Sequence, residues 1–204
     1  MTQFDLGIAV LTLARSAIAE RLGLSALAAM THASLEQPSA TFVTLMQAGK
    51  LRGCVGSLHR RRTLRDDVRA NAVAAAFRDP RFAPLDASEL AHTSLEVSLL
   101  SAEERIEVAS EEELITCLRP GVDGVIIEFG RHRATLLPQV WEQLQEPRNF
   151  LAALKLKADL PEDFWSSGML VSRYGVTTWK DQEPAAAAVD AVPYLLAPTS
   201  ASSR

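Results

Sequence analysis

Apolar residues at the start of the chain recur at helical spacing. Leu6, Val10, Leu13 and Ala17, with Ala14 or Ile18, form one stripe, which predicts an amphipathic helix over 5–22 with Gly23 as its stop. Residues 25–38 are ambiguous. Ser25 to Met30 fits a short helix, and Pro38 ends whatever precedes it. Over 40–47 apolar residues occupy both faces of an extended segment, the pattern of a central strand. Ala48-Gly49-Lys50 is turn chemistry, and Leu51-Arg52-Gly53-Cys54-Val55-Gly56 follows at once, so a β-hairpin is expected across 40–58. Thr63, with Asp66 three residues on, caps the next helix, whose stripe is Leu64, Val68, Ala72 and Ala75 and which Pro80 closes.

Further on, residues 94–100 alternate. Leu95, Val97 and Leu99 make one face, and Ser94, Glu96 and Ser98 the other. Ser110-Glu111-Glu112-Glu113 reads as a capping box opening a helix to about Leu118, with Cys117 facing inward. A second hairpin is expected over 122–137, turning at Gly130-Arg131. Helices at 138–145 and 147–157 follow, then a helical turn at 161–165 and a last strand at 169–179 interrupted by Gly175. Hairpin and helix thus occur at 41–78 and again at 122–157, which hints at an internal duplication. The fold class is α+β with mostly antiparallel pairing. The folded domain is expected over 1–182. Residues 183–204 shift to alanine, proline and serine and are expected to be a disordered tail.

The chemistry concentrates on the Arg-Gly-Cys stretch. As a strand it would send Arg52, Cys54 and Gly56 to one face and Gly53 to the other. A guanidinium beside a thiol favours the thiolate, and a glycine in a strand often marks close approach of a ligand to the backbone. A buried, inert Cys54 and an Arg52 paired with a carboxylate fit the same residues. Glu96 is the carboxylate of greatest interest. It could pair with Arg52, act as a general base, or face solvent. His59-Arg60-Arg61-Arg62 could steer an anion, or form a solvated face.

Composition narrows the field. The 204 residues suit one domain with a sizeable core, and 48% apolar content suits a globular chain. A net charge of −4 gives no argument for nucleic acid or an anionic membrane, and no apolar run reaches the length of a span. The N-terminus lacks a secretory pattern, so two reduced thiols and a cytoplasmic location are expected. Two distant cysteines and four scattered histidines offer no metal-ligand spacing. There is no phosphate-binding loop, and no cofactor is predicted.

Leu-Arg-Gly-Cys-Val-Gly at 51–56 resembles the signature of the AMMECR family. Three more stretches agree in order: Asp79-Pro80-Arg81-Phe82 with Pro84-Leu85, Leu95-Glu96-Val97-Ser98-Leu99-Leu100, and Ala134-Thr135-Leu136-Leu137-Pro138-Gln139-Val140. The match runs over 5–180. Lys155 departs from the family, which often has cysteine there. The resemblance implies two β/α repeats around one curled, barrel-like sheet flanked by helices. It also implies that Arg81 lies near the Arg-Gly-Cys face. Bacterial members resemble component A of the AmmeMemoRadiSam system, which implies Memo-type and radical SAM proteins as partners.

Two functions follow. In one, the chain is an enzyme in which Cys54 attacks an electrophile, with Glu96 as a catalytic partner or His59 as base. Arg52, Gly53, Gly56 and Arg81 then hold a small anionic substrate. In the other, the Arg-Gly-Cys face is a non-catalytic binding or adaptor surface.

Overall fold

The computed structural model describes residues 3–26, 28 and 30–181. Helix α1 (Gln3–Arg21) buries Leu6, Val10, Ala14, Ala17 and Ile18 on one side. The short helix expected at 25–30 includes residues 27 and 29, outside the described set. A 3-10 turn at Ala33–Glu36 follows instead. Strand β1 (Pro38–Ser39) leads into the hairpin of β2 (Thr41–Gln47) and β3 (Lys50–Gly56), and β4 (Arg62–Thr63) pairs back onto β1. Thr63 caps α2 (Leu64–Phe77) by accepting from the Asp66 N–H. The four stripe residues expected of α2 are all buried. A short α3 (Ala87–Leu90) precedes β5 (Ser94–Leu100).

The second half opens with β6 (Glu104–Ile106) and α4 (Glu111–Cys117), capped by Ser110. The hairpin of β7 (Gly124–Phe129) and β8 (His132–Leu136) comes next, then a 3-10 turn (Pro138–Glu142) and α5 (Pro147–Lys157). The chain closes with β9 (Leu170–Tyr174) and β10 (Val176–Lys180). The expected last strand is therefore two strands, and they belong to different sheets.

The two main sheets have matching orders, β10-β5-β2-β3 and β6-β9-β7-β8, and all their pairings are antiparallel. In each, a hairpin is followed by a helix and then by a strand that pairs with the hairpin's first strand. The fourth strand is exchanged. After β5 the chain crosses to give β6 to the second sheet, and after β9 it crosses back to give β10 to the first. The crossovers touch: Ser101 N–H donates to the Gly175 carbonyl, and Gly175 N–H to Ser101 Oγ, both at 2.9 Å. The repeat legible in the sequence is thus a topological one. The expected curled barrel is corrected, because two separate open sheets stand where one continuous sheet was expected.

Each sheet has its own core. Val43, Leu45, Leu95 and Val97 pack against α1 and α2 in the first, and Val125, Ile127 and Val171 against α5 in the second. A third cluster of Ala40, Leu100, Ile126 and Tyr174 joins the halves. Asp67 fastens α2 to the first sheet. Its buried carboxylate accepts from Thr41 N–H and Oγ1, Ser57 Oγ and Asn71 Nδ2, which leaves no lone carboxylate in the core.

Candidate functional site

The face of the first sheet turned away from α2 carries two cross-strand rows. Direct register pairs run Cys54–Thr44–Glu96–Lys180 and Gly56–Phe42–Ser98–Thr178. Residues paired in register project to the same side, so each row is a line of side chains across four strands. In the first row Thr44 Oγ1 donates to Cys54 Sγ at 3.3 Å, and Lys180 Nζ pairs with Glu96 at 2.7 Å. In the second, Ser98 and Thr178 hydroxyls are 3.0 Å apart. The hydrogen bond from Lys180 to Glu96 raises the Lys180 pKa from its ordinary value.

Opposite these rows stands the segment that follows β8. Leu137, Gln139, Val140 and Gln143 face the sheet, and a cleft of about 280 Å3 lies between. Its floor is Phe42, Thr44, Cys54, Glu96, Ser98 and Val176. The lining is mostly apolar, with the hydroxyls of Thr44 and Ser98, the Glu96 carboxylate and the amides of Gln139 and Gln143 set into it, the combination of a small-ligand site. Three of the four stretches singled out in the sequence therefore meet at one cleft: the Arg-Gly-Cys strand, residues 95–100, and residues 134–140.

The fourth stretch holds the Cys54 backbone. β3 is an edge strand, so its outward peptide groups need partners. The Asp79 carboxylate accepts the Cys54 N–H at 2.9 Å, and Arg81 Nη2 reaches the Cys54 carbonyl at 3.4 Å. Arg81 also donates to Asp79 three times, twice from its guanidinium and once from its backbone N–H. These bonds from Arg81, and then the one from Cys54 N–H, hold the Asp79 carboxyl well below the usual carboxylate range. The pair stands in for a neighbouring strand. Phe82 lies between two guanidiniums, with Arg81 5.4 Å and Arg52 5.9 Å from its ring centroid.

Arg52 does not share the Cys54 face. Leu45 pairs with Gly53 and Met46 with Leu51, so Arg52 is the extra residue of a β-bulge, and a bulge re-aims its side chain. Its guanidinium makes a two-point pair with Glu89 of α3 at 2.9 Å, on the side where Leu90 joins the α1–α2 core. The Arg52 hydrogen bonds hold the Glu89 carboxyl down to about 2. The expected Arg52–Glu96 pair is corrected, because each has another partner, Glu89 and Lys180. Arg81 lies beside the Cys54 backbone, yet neither guanidinium lines the cleft, and each is already matched by a carboxylate. His59 contacts Arg133 at 3.4 Å and does not line the cleft.

The two glycines are closely packed. A Cβ on Gly53 would lie 2.3 Å from the Ala75 carbonyl oxygen of α2. A Cβ on Gly56 would lie 2.3 Å from the Phe42 ring. Gly53 lets the helix approach the sheet, and Gly56 seats an aromatic wall of the cleft. The open ground expected over Gly56 is therefore filled by that ring.

Sequence reasoning missed Thr44, Lys180, Gln143 and Asp79. The last lay in a quoted motif; the others become site residues only through cross-strand register and the crossing of β10, which no local pattern reveals. Among the described residues, no three His, Cys, Asp or Glu side chains gather at metal-binding spacing, and no helix is long and apolar enough to cross a membrane.

Comparison with known proteins gives one consistent result. The family model AMMECR1 matches residues 11–179. Protein SSO0193 of Saccharolobus solfataricus is 34% identical over 88% of this chain and 83% of its own length. Protein MJ0810 of Methanocaldococcus jannaschii is 37% identical over 66% of this chain and 68% of its own. The crystal structure of the uncharacterized protein PH0010 from Pyrococcus horikoshii superposes with a TM-score of 0.72 at 31% identity, covering 86% of this chain and 91% of that one.

Proposed function

The chain belongs to the AMMECR1 family, and on that premise we propose that it holds a ligand in the cleft between the Cys54–Thr44–Glu96–Lys180 row and the segment 137–143. The observation that carries this reading is the convergence of three sequence stretches, distant in the chain, on one mainly apolar cleft with a few polar groups. The ligand is a neutral or zwitterionic molecule in preference to the small anion first expected. Arg52 and Arg81 are paired outside the cleft, and Glu96 on the floor is neutralised by Lys180 beside it. Asp79, Arg81 and Arg52 act as positioning residues. They brace the edge strand that presents the thiol.

A second reading keeps Cys54 as a reacting group, with Glu96 assisting. It is supported by the half-buried sulfur on the cleft floor, oriented by the Thr44 hydroxyl. Against it stands the spacing of the row. Cys54 and Glu96 flank Thr44 from two strands, so about 10 Å separates their backbones, and Glu96 is engaged by Lys180. The resemblance to component A of the AmmeMemoRadiSam system supports a cytoplasmic pathway shared with Memo-type and radical SAM proteins.

The test is to produce the protein together with such Memo-type and radical SAM neighbours. Mass changes in metabolites and proteins are then compared among wild type, Cys54→Ser and Gln143→Trp. Ligand holding predicts that the change persists in Cys54→Ser and is lost in Gln143→Trp, which fills the cleft from an exposed position. Loss in both supports the reacting thiol. A full change in Gln143→Trp overturns both readings.

A further inference from the structure

The cleft does not end at the second sheet. It shares Gln139 and Val176 with a larger hollow of about 480 Å3, lined also by Val122, Pro138, Glu142 and Thr178. The two adjoin at those residues, and together they outline a groove. It starts at Cys54 on the edge strand β3, crosses β2 and β5, passes β10, and leaves the fold beside Val122, which is 51% exposed. Three strand spacings set its floor at roughly 14 Å, the length of an extended tetrapeptide.

Building on the ligand-holding reading, we propose that this groove takes an extended peptide segment of a partner protein, bound across the strands with one end at Cys54 and the other at Val122. Three observations favour a peptide backbone. Groups that both donate and accept, the hydroxyls of Thr44 in one cross-strand row and of Ser98 and Thr178 in the next, are spread along the floor, while the side-chain amides of Gln139 and Gln143 stand on the other wall. Glu96 on the floor is already paired with Lys180 beside it, and the other charged lining group is the carboxylate Glu142, which suits a neutral main chain and gives nothing to a phosphate or a nucleic acid. The groove is open at its far end, so a chain can enter and leave it, whereas a compact metabolite would use only the 280 Å3 part.

Disulfide capture at Cys54 tests this without a known ligand. The protein carries Cys117→Ser so that a single thiol reports. Cystamine is compared with a mixed library of acetylated tetrapeptide amides joined through the same aminoethyl disulfide, and occupancy is read by intact mass against increasing 2-mercaptoethanol. The tetrapeptides should resist about tenfold more reductant than cystamine, a gain of about 1.4 kcal/mol. Val122→Arg and backbone N-methylation should each abolish that gain while leaving cystamine capture unchanged. Capture of both probes at equal reductant, or a gain that survives N-methylation and Val122→Arg, overturns the peptide assignment but leaves the cleft as a small-ligand site. If the folded protein captures neither probe, the ligand-holding reading fails with it.

Discussion

Alanine at Gly53 and at Gly56 should have different consequences, although the residues are three apart on one strand. Both built Cβ atoms meet a neighbour at 2.3 Å, about 1 Å closer than an ordinary contact. At Gly53 the neighbour is the Ala75 carbonyl oxygen in the last turn of α2, where Ala75 and Ala76 are buried, and that backbone cannot yield without lifting off the sheet. Such overpacking costs roughly 1–3 kcal/mol or more, and the reduced freedom of the unfolded chain returns only about 0.4–1 kcal/mol. The net expectation for Gly53→Ala is a loss of about 2 kcal/mol, or a Tm about 4–8 °C lower for a chain of this size. At Gly56 the neighbour is the Phe42 ring, which can swing away from the strand and into the cleft. Gly56→Ala should therefore lower Tm by less than Gly53→Ala, and should slow alkylation of Cys54 by iodoacetamide in a Cys117→Ser background. Calorimetry and intact-mass kinetics read the two effects. A Gly53→Ala protein within about 0.5 kcal/mol of the parent, or a larger loss at Gly56, would refute the assignment of Gly53 to helix–sheet packing.

Two further outcomes follow from the charged groups. Lys155 is 3% exposed and pairs with Glu111 at 2.8 Å, so Glu111→Gln, which strands a buried ammonium, should cost about 3 kcal/mol in denaturant unfolding, whereas the double variant Glu111→Leu with Lys155→Met should be near neutral. Arg52 depresses the Glu89 carboxyl from 4.5 to about 2, so this pair's contribution is fully present above pH 4.5 and is lost as pH falls toward 2. After discount for solvent screening that is about 1–2 kcal/mol. Unfolding free energies at pH 7 and pH 3 should therefore differ less for Glu89→Gln than for the parent, and an equal acid loss in both proteins would contradict the pairing.

The sequence made some of this legible and hid the rest for physical reasons. Helical spacing located α1, α2 and α5, because a one-sided apolar stripe is a local property. Cap chemistry placed Thr63 and Ser110 to the residue. Residues 169–179 misled because Gly175 interrupts what reads as one strand, while the chain there passes from one sheet to the other. Arg52 misled because a single extra residue in β3 reverses the direction that strict alternation assigns. Glu96 was singled out as the carboxylate of greatest interest, with Arg52 as a possible partner. Its partner Lys180 lies 84 positions along, and only the exchanged strand brings the two together. The tail expected at 183–204 lies outside the described residues.

The account rests on Cys54 opening into a cleft roofed by residues 137–143. The most direct measurement is the alkylation rate of Cys54 in folded Cys117→Ser protein, with and without Gln143→Trp. The account predicts that Cys54 reacts from the native state and that the tryptophan slows it markedly at unchanged Tm. A rate indifferent to the tryptophan, or one no faster than global unfolding, would contradict it.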